Sequence, residues 1–257
     1  MECLLKAEGL KKTFRLSKKQ MKLDKTDKSY KIAVDGLSFR VFNGEIYGLL
    51  GPNGAGKTTV MRILSTLIKS DEGDALICGA SVKSNPSAVR KSLAFLTSEL
   101  KLDEFFTPNY LYDFYSALRG VSNADRDSRK AMLFNKFGIS KFSEVKVGEL
   151  STGMKQKVSL AVSLAHDPRV IVYDEPTNGL DVLTAKTVTD FLQELKEQGK
   201  CIIVSTHIFS LVEKVCDRIG VIINGKMASE GTLREVCTGK TLEDAFFDIY
   251  AKNVAEN

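Results

Sequence analysis

Nine consecutive residues, GPNGAGKTT from Gly51 to Thr59, have the make-up of a backbone cradle for phosphate. The glycines Gly51, Gly54 and Gly56 let the chain curl so that successive N–H groups point inward, and a helix opening at about Gly56 adds the positive end of its dipole. Pro52, Asn53 and Ala55 complete the loop. Lys57 brings a positive charge to the β- and γ-phosphates, Thr58 offers a hydroxyl to Mg2+, and Thr59 reaches the α-phosphate. The loop follows the apolar run EIYGLL and leads into KTTVMRILSTLI, the strand–loop–helix context that a chance glycine turn lacks. This spacing points to a nucleoside triphosphate.

A second group lies in RVIVYDEPTNGLD, where four apolar residues, Val170 to Tyr173, precede Asp174 and Glu175. A fully apolar run suits a central parallel strand, which would deliver both carboxylates to its C-terminal end, where ligands sit in such sheets. Asp174 suits Mg2+, reached through water, and Glu175 is placed to polarise an attacking water as general base. Paired acids at a strand end are also common as plain surface residues. The apolar lead, the turn PTNG and the phosphate cradle together favour chemistry. His207 follows another buried strand, CIIVST, and so reaches the same edge, within range of a γ-phosphate or the attacking water. His166, just before DPR, reads instead as a helix-end residue favouring terminal carbonyls.

These side chains require a largely parallel α/β core to position them. Strands are expected at 2–8, 37–42, 45–50, 93–97, 169–173, 201–205, 219–223 and 226–230. Helices are expected at about 56–68, 183–198 and 208–216, with a last amphipathic helix over 241–252. Between Pro108 and His166 the strand signals vanish, and NYLYDFYSALRG and DRDSRKAMLFNKFG read as amphipathic helices. STGMKQKVSLAVSLA reads as a helix with Ser151 at its N-cap, so its N-terminus faces an anion.

With 257 residues, 43% hydrophobic and 27% charged, the chain has ample material for a core, and global disorder is excluded. The net charge of +5 is unevenly spread. Between Lys11 and Lys31 nine basic residues face two acidic ones, a local net of +7, so the remainder carries −2. The basic balance belongs to one segment, best read as a solvated loop, with a binding patch as the competing reading; it is no nucleic-acid footprint. Five scattered cysteines without a C-x-x-C pair suit a reducing compartment, and two histidines argue against a His-based zinc site. No apolar run is long enough to span a bilayer and MECLLKAEGLKK lacks a signal peptide's layout, so the chain is expected to be soluble, with any membrane role borrowed from a partner.

The order of these features, with LSTGM at 150–154 between the helical stretch and the acidic pair, resembles the nucleotide-binding subunit of ABC transporters over essentially the whole chain. The resemblance implies a single ABC ATPase domain over 1–257, with a P-loop, RecA-like core and an N-terminal antiparallel β region. In this reading, 1–97 and 167–257 form the core, about 98–166 an inserted helical subdomain, and about 232–257 a helical tail. It implies ATP and Mg2+ as ligands and a head-to-tail pairing with a second copy or a related ATPase subunit. ATP would be sandwiched between one protomer's P-loop and the other's LSTGM box, with Ser151, Thr152 and Gly153 at the partner's nucleotide. Asp181, in NGLD, becomes the residue that communicates between sites, and His207 the switch histidine. Integral membrane permease subunits are the implied partners, at the cytoplasmic face of the cell membrane. The box LSTGMKQK, the run DEPTNGLDV and the tail GKMASEGTLREV are similar to sodium-export-type and related exporters.

Three positions depart from the family pattern. Thr152 and Met154 replace a glycine and a glutamine of the box, while Ser151 and Gly153 remain. Ser98, with Glu99 beside it, stands where the family has a metal-sensing glutamine, and a serine there reaches the metal only through water. Phe14 and Tyr30 compete as the ring that stacks on adenine, Phe14 fitting the family position better. The expected mechanism is ATP-driven closure, with Lys57 holding phosphates, Glu175 activating water and His207 assisting. A soluble mechanochemical ABC ATPase acting on ribosome or DNA is the rival; it calls for a second ATPase unit or a long coiled-coil insertion. A small-molecule kinase would leave LSTGM and GLD unexplained.

Overall fold

The computed structural model describes residues 1–23, 27–97 and 102–255. In chain order the first half comprises β1 (Cys3–Arg15), α1 (Lys18–Leu23), β2 (Tyr30–Phe42), β3 (Glu45–Leu50), α2 (Lys57–Leu64), β4 (Glu72–Ile77), β5 (Ala80–Ser81), α3 (Pro86–Ser92) and β6 (Leu93–Thr97). The helices α4 (Pro108–Leu118), α5 (Asn123–Phe137) and α6 (Thr152–Ser163) follow, with no intervening strand among the described residues. The chain then returns through β7 (Val170–Asp174), α7 (Val182–Glu197), β8 (Cys201–Thr206), α8 (Phe209–Val215), β9 (Arg218–Ile223), β10 (Lys226–Thr232), α9 (Leu233–Cys237) and α10 (Leu242–Ala255).

Two sheets result. One is antiparallel, in the order β2-β1-β4-β5; the other runs β10-β9-β3-β8-β7-β6, parallel except for β10. Every residue of β3, β7 and β8 is buried, as expected for strands covered on both faces. Alternation sorts them between two cores. Ile46, Leu50, Ile171, Tyr173, Ile202 and Val204 pack toward the helices that follow β6, whereas Tyr47, Leu49, Val172 and Ile203 pack against α2 and the antiparallel sheet. The pairs Leu50↔Thr206, Asp174↔Ser205 and Thr97↔Asp174 bring four strand ends to a common edge. That edge carries the site.

Several expectations are refined. The first two strands are thirteen residues each rather than short runs, and much of the basic segment belongs to their ends. Their length was hidden because one face is polar and register shifts break the alternation. Helix α2 stops at Leu64 rather than continuing to Ile68. Thr66 adopts φ +61°, and the N–H groups of Leu67 and Ile68 both turn back to the Arg62 carbonyl. The strands and helix between Glu72 and Ser92 are additions to the sequence reading; polar residues in EGDALI mask β4.

Candidate functional site

The loop from Gly51 to Gly56 joins β3 to α2, and two of its glycines are needed as glycine. A Cβ on Gly56, which has φ +110°, would fall 2.2 Å from the Ala33 carbonyl oxygen, and one on Gly51 would fall 2.4 Å from that of Ile222. The Ala55 carbonyl accepts from Gly225 N–H at 3.0 Å, tying the loop to the β9–β10 turn. Lys57 is 5% exposed and donates to the Gly51 and Pro52 carbonyls at 2.7 and 3.2 Å. Burial draws its ammonium below the ordinary lysine range, opposed by the Glu175 and Asp174 carboxylates. A charge held this way, with the loop's own carbonyls as its acceptors among the described residues, is set to trade those contacts for phosphate oxygens.

The two acids differ in environment although they are adjacent. Asp174, 6% exposed, accepts a hydrogen bond from Ser205 Oγ on the neighbouring strand. At Glu175 the chain leaves the strand with φ +52°, an uncommon conformation for a non-glycine residue, and its N–H is held by the Ser205 carbonyl at 3.0 Å. Its Oε1 lies 3.1 Å from His207 Nδ1, while Oε2 is buried with no partner among the described residues. An unpartnered buried carboxylate oxygen fits a site that takes up water or a ligand there.

A cleft of about 420 Å3 gathers most of these groups, but Gly51, Pro52, Ala55 and Asp174 are not part of its lining. Phe14, Asn53, Gly54, Gly56, Lys57, Thr58, Thr59, Glu175 and His207 line it, joined by Lys31, Ala33 and Asn178. Phe14 is thus part of the lining, and Tyr30, the competing ring, is not. Lys31 faces Phe14 across the β1–β2 ladder, whereas in the sequence it is one of nine basic residues of a single segment. Asn178 carries no signal in the sequence beyond its place in the turn PTNG. Ser205 was hidden because a serine closing an apolar strand gives no signal of its own; its role follows from the register opposite Asp174.

Other candidates sit elsewhere. Ser151 caps α6, accepting from Met154 N–H at 3.3 Å, and neither it, Thr152 nor Gly153 lines the cleft of its own chain. Gly153 packs on the loop after the acids: a Cβ there would lie 3.4 Å from Asp181 Oδ2 and 3.3 Å from Thr184 Oγ1. Asp181 caps α7, with Oδ1 accepting from the N–H groups of Leu183 and Thr184 at 3.0 Å each, and Thr184 and these N–H groups hold its carboxyl below the usual range. His166 does not cap its own helix. Its Nε2 is 3.2 Å from the Leu93 carbonyl on β6, because α6 ends at Ser163 and the following turn carries the ring across to the core. Ser98 and Glu99 lie outside the described residues.

Residues 34–178 match the family model described as ABC transporter. The chain belongs to that family. Among its ABC relatives, it is 32% identical over 223 residues to the ATP-binding protein NatA of Bacillus subtilis, covering 86% of this chain and 91% of NatA. It is 39% identical to Nod factor export ATP-binding protein I of Burkholderia orbicola, covering 78% of this chain and 66% of that protein. The chain spans 62–66% of the length of several such relatives. A solved ATP-binding subunit of an ABC transporter superposes with a TM-score of 0.84 at 26% identity, covering 96% of this chain and 99% of that one. A dimeric ABC ATP-binding cassette bound to ADP and phosphate shares the fold, with a TM-score of 0.77 at 24% identity over 90% of this chain and 99% of that one. The fold is thus the ABC ATPase fold, an antiparallel N-terminal sheet beside a mostly parallel RecA-like sheet.

Proposed function

We propose that this ABC protein binds ATP with Mg2+ in the cleft and hydrolyses it as one of two cassettes meeting head to tail. The work is delivered to a separate membrane permease acting in the direction of export. The observation that carries the reading is the Glu175 carboxylate, with one oxygen on His207 and the other buried without a partner among the described residues, in the same cleft as the phosphate loop.

In this reading Phe14 stacks on adenine by its face, and Lys31 and Asn178 complete the walls. The amides of Gly51 to Gly56 and the α2 N-terminus take the phosphates, with Lys57 as their counter-charge. Mg2+, when bound, supplies charge neutralisation at the phosphate oxygens, and Thr58 and Asp174 are the residues that would hold it. Ser98 keeps its expected role near that metal, as a proposal from the sequence. Glu175 accepts a proton from the attacking water at its free oxygen, and His207 orients the carboxylate. Phosphoryl transfer of this kind depends mostly on positioning and charge, and these residues supply both.

The pairing is supported by the separation of Ser151, Thr152 and Gly153 from their own cleft. A second copy would bring them to the nucleotide, and Asp181, packed behind Gly153, would sense the partner. The name of the Nod factor export relative favours export. An apolar surface at the start of α4 suits a permease: Phe106, just before the helix, and Tyr110 and Phe114 on it stack in series, with centroids 4.4 and 6.2 Å apart, and all three are exposed. Among the described residues no helix is long and apolar enough to cross a membrane, so a permease on another chain would provide the path, with this subunit at its cytoplasmic face. The test is Glu175→Gln. The variant should bind ATP, lose about 100-fold or more in turnover, and accumulate as an ATP-dependent dimer on gel filtration. Wild-type turnover would remove Glu175 from its role.

A further inference from the structure

The most basic segment of the chain takes little part in the nucleotide cleft, and its folded form separates two classes of charge. Near the base of the β1–β2 hairpin the lysines are neutralised: Lys12 Nζ lies 2.7 Å from Asp71 and Lys11 Nζ 3.5 Å from Glu72. Pairing of β1 with β4 ends at Lys11, and beyond it β1 and β2 continue as a two-stranded ribbon through Phe14↔Lys31 and Arg15↔Tyr30. At the end of that ribbon Arg15, Lys18, Lys19 and Lys22 are exposed, and none has a carboxylate partner among the described residues.

The chain on either side of residues 24–26 is tied by hydrogen bonds. Ser17 Oγ accepts from Gln20 N–H at 3.2 Å while Gln20 Oε1 accepts from Ser17 N–H at 2.9 Å, a reciprocal cap for α1, and Leu16 N–H closes onto the Ser29 carbonyl at 2.8 Å. No residue of α1 is buried. Beside the cations stand three exposed apolar side chains, Leu23 at 71%, Tyr30 at 58% and Ile32 at 51% exposure. The described part of the tip therefore offers, together, positive charge that meets no carboxylate among the described residues and exposed apolar side chains.

We propose that this hairpin tip binds the surface of an anionic phospholipid bilayer. Arg15 and the three lysines meet the headgroup phosphates, while Leu23, Tyr30 and Ile32 enter the boundary between headgroups and acyl chains. Nucleic acid is the less fitting anion: a strand of bases calls for successive stacking rings in a groove, and of the two exposed rings here Phe14 belongs to the nucleotide cleft, leaving Tyr30 with the aliphatic Leu23 and Ile32. The inference goes beyond the proposed ATPase reading and does not depend on it.

The test uses the full chain and co-sedimentation with vesicles of phosphatidylcholine, with or without about 30% phosphatidylglycerol. Binding is expected only to the anionic vesicles, falling steeply between about 50 and about 300 mM salt. Each lysine at such a surface contributes about fivefold, so the triple variant Lys18→Glu, Lys19→Glu, Lys22→Glu should lower partitioning by about 100-fold or more. Leu23→Ser should lower it severalfold while keeping the salt dependence. Nucleotide binding by the triple variant separates loss of this surface from loss of the fold. Equal partitioning onto neutral vesicles, or no effect of the triple variant, would overturn the proposal. So would an unchanged Leu23→Ser partition, or tighter capture by a DNA or RNA oligonucleotide than by the anionic vesicles.

Discussion

Replacing His166 by asparagine probes the seam between the helices and the core sheet in energetic terms. The ring is mostly buried against β6, with Nε2 3.2 Å from the Leu93 carbonyl. Burial pulls its pKa from 6.5 down to about 4; Arg119 and Arg129 push the same way, while the Leu93 hydrogen bond and Asp167 oppose them. Between those two values the unfolded chain binds a proton that the folded ring refuses. Stability therefore declines as pH falls below about 6.5 and levels off below about 4. At about pH 5 the loss attributable to this ring is about 2 kcal/mol relative to neutral pH. For a chain of this size that corresponds to about 4–8 °C in Tm. Asparagine keeps an amide donor near the Leu93 carbonyl and removes the titration. Scanning calorimetry or fluorimetry at about pH 7.5 and about pH 5 should show the wild type losing about 4–8 °C more than His166→Asn. Equal losses in the two chains would refute the argument.

Other perturbations separate neighbouring roles. Phe14→Ala should weaken ATP binding by about 5- to 100-fold in titration calorimetry, whereas Tyr30→Ala, outside the cleft, should leave it within about twofold. Gly56→Ala combines a positive φ with a clash against the Ala33 carbonyl, whereas Gly54→Ala, with nothing within 4 Å, meets only the backbone cost of about 1–2 kcal/mol. Thermal scans should therefore rank Gly56→Ala as clearly less stable than Gly54→Ala, and equal Tm values would count against the clash. Tyr173→Phe removes the acceptor of the 2.8 Å bond from Gln156 Nε2, and should cost about 1–3 kcal/mol in stability, read as a lower midpoint in urea.

How much of this was legible in the sequence depends on whether a residue speaks through its own type or through its neighbours. The cradle could be read because glycine spacing, a lysine and two threonines act locally, and β3, β7 and β8 could be read because burial on both faces leaves an unbroken apolar run. The histidine after CIIVST was placed by the same logic. Ser205, Lys31 and Asn178 could not be found this way, since their parts come from strand register or loop closure. His166 was misassigned for a related reason: a residue three positions past a helix end looks local, yet its partner is Leu93, far away in sequence. The antiparallel strands were underestimated because lysines and glycines in β1 and β2 suit an exposed face and bulges as well as a loop.

Ser205 has a consequence of its own. Its hydroxyl holds Asp174 and its carbonyl holds the N–H of Glu175, so one residue of β8 acts as an alignment jig for both acids. Two residues on, the same chain segment supplies His207, which grips the Glu175 side chain. The three groups are therefore gauged from a single fixed strand rather than from the loop 176–180 that follows them. That loop can shift as its surroundings change without altering the spacing of the acids, so tolerance to movement and accuracy of placement are assigned to different pieces of backbone.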